Sequence, residues 1–122
     1  MDLPEIRKEI IRCQKERSDL ELKCIRSRSK MEAGSVFERY TACQKGNCKC
    51  QRGELHGPFI FLGQKINGKT KTRYAGKESD KPTVKRVRAY MRYQDNLAKI
   101  RKITKKMDEL FNTYRELMIE KE

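Results

Sequence analysis

Long apolar runs are missing from this chain. Its longest uninterrupted one is Phe59 to Leu62, and only 36% of the 122 residues are hydrophobic while 39% are charged. So short a run excludes a membrane-spanning helix. The first residues, with Asp2, Pro4 and Glu5, lack the basic-then-apolar pattern of a signal peptide. The expectation is a soluble, cytoplasmic protein with no membrane partner. So little apolar material also argues against a deep globular core and for an elongated or self-associating molecule. Acid is scarce as well: 30 Lys and Arg stand against 17 Asp and Glu, a net charge of +13. Charge on that scale exceeds what solubility needs and points to a polyanion.

Histidine occurs once, and it lies close to three of the five cysteines. Cys43, Cys48, Cys50 and His56 are spaced Cys-x4-Cys-x-Cys-x5-His, with glycines among them where the chain must fold back. An odd cysteine count without a secretion signal indicates a reducing compartment, where thiolates hold metals rather than form a disulfide framework. Four such donors suit a tetrahedral ion at about 2.0–2.3 Å, with Zn2+ the default. A disulfide or redox pair and plain unliganded thiols are the alternatives. His56 is the weakest of the four, and water or another group is the alternative fourth ligand. With all four donors engaged, the ion has no open position. No second histidine or paired carboxylate lies nearby, so the protein is expected not to be an enzyme.

From Leu3, a mainly apolar stripe runs through Ile6, Ile10, Cys13, Arg17, Leu20, Cys24, Ser27 and Met31 in steps of three and four, with Arg17 and Ser27 as its polar members. This heptad-like stripe predicts a helix that packs on another, in coiled-coil fashion. Asp2 is its N-cap, Pro4 sits in its first turn and Ala33-Gly34-Ser35 is its stop, giving about 28 residues and about 42 Å. Cys13 and Cys24 lie on the stripe and read as core. A second helix, capped by Ser79 or Asp80 with Pro82 in its first turn, is expected to continue to about Glu120. Its apolar face runs Val84, Val87, Met91, then Leu97, Ile100, Ile103, Met107, Leu110, Tyr114 and Leu117, slipping phase near Gln94.

Between the helices, Val36–Tyr40 reads as a strand and Phe59 starts another that runs to Ile66. Asn67-Gly68 signals a type I′ hairpin turn into a third strand through Tyr74. Alternation puts Lys69, Lys71 and Arg73 on one face of that strand and Thr70, Thr72 and Tyr74 on the other. Lys85, Arg88, Arg92, Asp95, Lys99, Lys102 and Lys106 make a stripe along the second helix in which Asp95 alone is acidic. Edge lysines that discourage aggregation and a solvated helix flank are the plain alternatives. The hairpin and helix stripes nevertheless fall close together in sequence. The expected fold class is therefore α+β: long N- and C-terminal helices form an antiparallel helical hairpin, with a small zinc-stapled three-stranded antiparallel β insertion between them. Residues 1–122 form one domain in this reading: helix 1–34, zinc knuckle and hairpin 35–81, helix 82–122.

The middle third resembles an uncharacterised family of short prokaryotic proteins often encoded near transposases and other mobile-element genes. Gly34-Ser35-Val36, Cys43-x4-Cys48-x-Cys50, Arg52-Gly53-Glu54, Leu55-His56-Gly57-Pro58-Phe59, Gly68-Lys69-Thr70 and Arg73-Tyr74 carry the resemblance. Gln44 departs from the glycine usual after the first cysteine. The resemblance implies a zinc-knuckle hairpin between helices and no established activity.

These features favour a small zinc-stabilised nucleic-acid-binding protein, an accessory or regulator of a mobile element, phage or plasmid. Lys45, Lys49, Lys69, Lys71, Arg73, Lys85, Arg88 and Arg92 are its candidate phosphate contacts. Duplex DNA is the expected partner and RNA the alternative. Tyr40, Tyr74, Tyr90, Tyr93 and Phe59 are candidates for stacking on unpaired bases, or equally for the core. The competing reading is a helical interaction module that forms a homodimer or docks on, and inhibits, a nucleic-acid-processing enzyme.

Overall fold

A computed structural model describes residues 1–43, 45–77 and 81–120. In chain order it comprises helix α1 (Leu3–Arg26), strand β1 (Ser35–Thr41), a 3-10 turn (Lys49–Arg52), β2 (His56–Ile66), β3 (Lys69–Gly76) and helix α2 (Pro82–Met118). Two terminal helices thus flank a three-stranded antiparallel sheet of order β1-β2-β3, which is the α+β arrangement expected. The chain divides into two compact units. The helical unit is Met1–Arg28 with Tyr93–Glu122, and the sheet unit is Ser29–Arg92. The start of α2 belongs to the second and the remainder to the first.

In the helical unit, Asp2 caps α1 by accepting the Glu5 N–H at 2.9 Å, and Pro4 occupies the first turn. Every stripe residue from Leu3 to Cys24 is buried or half-buried, with Ile6 and Cys13 fully so. The helices run antiparallel: Arg7 lies over the Tyr114 ring, Glu9 accepts from Lys106 Nζ at 2.8 Å, and Arg17 donates to Thr104 Oγ1 at 3.5 Å. Arg17, a polar intruder on the stripe, therefore finds a partner on the opposite helix. Arg12 also pairs with Glu9, and Lys106 and Arg12 together hold the Glu9 carboxyl below its ordinary value.

The first helix is shorter than residues 1–34. It ends at Arg26, with Ser27 already extended at φ −64° and ψ 128°. Ser27 and Ser29 are poor helix interiors, because their hydroxyls compete for backbone partners. Beyond them the chain is claimed by the sheet unit: the Glu32 N–H donates to the Arg86 carbonyl at 3.2 Å and the Glu32 carboxylate pairs with the Arg86 guanidinium. A continuing helix would forfeit both. The second helix ends at Met118, and the expected caps Ser79 and Asp80 lie outside the described residues.

In the sheet unit, β2 is central. Leu62 pairs with Val36 on one side and Arg73 on the other, and Phe61 pairs with Phe37 and Tyr74. Directly opposed residues share a face. One face presents Ile60 and Leu62 to Val84 and Val87 of α2, with Ala75 completing a buried cluster and Val36 and Met91 packed against it. The Val36 N–H donates to Met91 Sδ at 3.2 Å. Asn67 and Gly68 both take positive φ, 53° and 81°, as a type I′ turn requires.

Candidate metal centre and basic surface

The cysteine-histidine cluster occupies the connection between β1 and β2. Cys43 follows β1, Cys48 caps the 3-10 turn, Cys50 sits within that turn, and His56 opens β2 opposite Thr41. The turn closes with the Gly53 N–H donating to the Cys50 carbonyl, which sends the chain back toward the sheet. At the ladder's end, Arg39 pairs with Phe59 and Thr41 with His56, so β2 carries one extra residue at Gly57-Pro58. Gly57 has φ 147°, and a Cβ there would lie 2.8 Å from the Arg39 carbonyl oxygen and 2.7 Å from the Tyr40 ring. Only glycine lets the strand pass so close while it delivers His56.

The ligand atoms of Cys43, Cys48, Cys50 and His56 all lie within 4.8 Å of one another. Cys43 Sγ is 3.4 Å from Cys50 Sγ, and Cys48 Sγ is 3.0 Å from His56 Nε2. A tetrahedral ion with arms of about 2.0–2.3 Å has edges of about 3.3–3.8 Å, so the Cys43–Cys50 spacing falls within that range and the Cys48–His56 spacing a little below it. No pair approaches the about 2.05 Å of a disulfide, and all five cysteines are free. The cluster is therefore geometrically compatible with one bound metal ion. Cys50 is buried, 5% exposed, and accepts the Cys43 N–H at 3.2 Å; Gln51 Nε2 donates to the Cys43 carbonyl at 3.3 Å.

Electrostatics separate the thiols. The Cys50 backbone N–H, and then the Cys43 side chain, bring the Cys48 thiol down to about 6, with His56 helping. For Cys43 the Lys45 backbone amide favours the thiolate, but hydrogen bonding with Cys50 and Cys48 outweighs it and holds the thiol above its ordinary value of 9.0. Cys48 is thus biased toward the thiolate and Cys43 toward the thiol, and the thiolate is the form in which a cysteine would hold a cation.

The candidate phosphate contacts divide by position. Lys45 and Lys49 are exposed on the cluster's own loop, and Lys69, Lys71 and Arg73 are exposed along β3, an edge strand. Lys85 and Arg92 are exposed on α2, whereas Arg88 is half-buried. The register places the Lys69, Lys71 and Arg73 ladder on the face of the sheet that meets α2. Arg73 donates to Gln64 Oε1 at 3.5 Å, Gln64 donates to Glu32 Oε2 at 3.3 Å, and Glu32 pairs with Arg86. A chain of polar contacts therefore links β3 to the first turns of α2. Arg86 and Arg39 were not singled out from sequence. Arg39 lies over the Phe37 and Phe61 rings, a contact that the spacing of Phe37 and Arg39 on one strand face signals.

Residues 2–86, well over half of the chain, match the family described as a domain of unknown function, DUF6788, and the chain belongs to that family. The match extends beyond the motif segment to include α1. Comparison with curated proteins and with solved structures finds no match. Among the described residues no helix is long and apolar enough to cross a membrane.

Proposed function

We propose that this chain is a small zinc-stabilised nucleic-acid-binding protein. Cys43, Cys48, Cys50 and His56 would hold the ion, which supplies cross-linking rather than chemistry, because four protein donors leave no open position for a substrate. A three-stranded sheet of this size is marginal alone, and tying its β1-β2 connection would keep β1 and β2 in register. The observation that carries the reading is the cationic side of the sheet unit: Lys69, Lys71 and Arg73 share a sheet face with the packed start of α2, which bears Lys85, Arg88 and Arg92. Such cations displace counterions from phosphates and bind with steep salt dependence and little regard for sequence. Elemental analysis together with nucleic-acid titrations over a salt series tests it; metal-free, fully folded protein or absence of binding at low salt counts against it. The further reading, an accessory protein of a mobile element, phage or plasmid, rests on the family resemblance alone and is tested by the genes that neighbour its relatives.

A second reading draws on the helical unit, where Ile11, Ile25 and Phe111 are 51%, 77% and 48% exposed. Here the helical pair dimerises or docks on a nucleic-acid-processing enzyme. Light scattering that gives a concentration-independent monomer removes the homodimer.

A further inference from the structure

The second face of the sheet, turned away from the α2 packing, carries a set of aromatic rings. Phe37, Phe59, Phe61 and Tyr74 fall on it by register. Phe37 stacks on Phe61 with centroids 5.7 Å apart; Tyr74 lies 5.5 Å from Phe61 and 6.2 Å from Phe59. The three phenylalanines are half-buried and Tyr74 is 54% exposed. Two cations are threaded among them: the Arg39 guanidinium stands 5.0 Å and 4.9 Å from the Phe37 and Phe61 centroids, and Lys77 Nζ stands 5.6 Å from Phe59. Lys65, Thr70 and Thr72 continue the face toward the hairpin turn, and the register places no carboxylate on it among the described residues.

We infer that this face stacks unpaired bases, which makes the preferred ligand of the proposed nucleic-acid-binding activity a single-stranded segment of DNA or RNA. The inference rests on that activity and names its substrate class. Bases in a duplex are already stacked and present only their edges, whereas an unpaired base offers a ring face to an aromatic platform. The cations select the occupant. An apolar protein surface seated here would strip water from Arg39, Lys65 and Lys77 and return no opposite charge, while a strand carries a phosphate beside every base. The platform also gives the molecule two complementary contacts: the lysine ladder on one side of β3 for phosphates, and the rings on the other for bases.

The test uses the full chain and fluorescence anisotropy with oligothymidine, oligodeoxyuridine, oligouridine, an abasic DNA strand of equal length, and a duplex. The abasic strand keeps the phosphates and deletes the rings. Oligothymidine or oligouridine is expected to bind more tightly than the abasic strand by about tenfold for each base stacked, and oligodeoxyuridine compared with oligouridine names the preferred sugar. Tyr74→Ala should remove about tenfold from base-bearing strands and leave abasic binding unchanged, whereas Tyr74→Phe should keep both. Equal affinity for base-bearing and abasic strands overturns this inference alone, and that comparison needs no variant to fold. Absence of binding to every probe overturns the underlying activity as well. A dimer that Tyr74→Ala converts to monomer assigns the face to a second copy and overturns the inference too.

Discussion

Stripping the proposed metal from the β1-β2 connection is expected to destabilise the sheet unit selectively. An ion held at both ends of this connection closes a loop of about 14 residues, and the chain-entropy estimate for a cross-link of that span is about 3 kcal/mol. For a unit of this size each kcal/mol moves the midpoint by about 4–8 °C, so chelation should lower its melting temperature by about 10–25 °C. The assay is thermal denaturation followed by circular dichroism with and without a strong chelator, with zinc content measured on both samples. Hydrogen exchange locates the effect. Amides of His56–Ile66 should lose protection, and those of α1, held by its own stripe around Ile6 and Cys13, should not. An unchanged melt in protein shown to be free of metal refutes the staple.

Cys50→Ser should abolish stoichiometric zinc by elemental analysis, while Cys24→Ser, on the α1 stripe, should leave it intact. Ile60→Ala removes a side chain only 2% exposed at the centre of the sheet-helix cluster and should cost about 2–5 kcal/mol in denaturant unfolding. The Arg86 side chain, helped by Gln64, holds Glu32 below its ordinary value of 4.5. A carboxyl depressed by folding stabilises above its unfolded value and loses that contribution as pH falls through the folded one. Melting curves of wild type and Glu32→Gln should accordingly differ at neutral pH and converge only as pH falls through the depressed folded value of Glu32. Replacing Lys69 and Lys71 together with Ala should reduce the salt slope of nucleic-acid binding by about 1.5, leaving the melting temperature unchanged.

Periodic features were legible in the chain, and tertiary choices were not. The α1 stripe from Leu3 to Cys24, the second stripe from Val84 to Tyr114 with its slip near Gln94, and the Asn67-Gly68 turn all follow from local repeat and turn chemistry and stand in the structure, whereas Leu117, the last residue of the second stripe, is 45% exposed. Ser27 and Met31 continue the α1 spacing past the helix end, because a stripe cannot register the pairing of Glu32 with Arg86 that draws the chain away. The cluster of Cys43, Cys48, Cys50 and His56 was visible from spacing alone, since a short loop leaves its donors little room to separate. Which sheet face α2 covers was not visible. Phe59-Ile60-Phe61-Leu62 is apolar on both faces, so alternation assigns its residues to two sides without saying which is packed. The aromatic face around Phe37, Arg39 and Phe61 emerges only once Ile60 and Leu62 are seen against Val84 and Val87.

The central claim, that the cationic sheet unit binds nucleic-acid phosphates, is tested most directly by measuring affinity against salt concentration for single strands and duplex. If Lys69, Lys71, Arg73, Lys85, Arg88 and Arg92 each displace a counterion, the plot of log K against log salt should have a slope of about −4 to −5. A fourfold rise in salt would then weaken binding several hundredfold or more, roughly alike for all sequences. A flat plot, or no binding at low salt, would contradict the account.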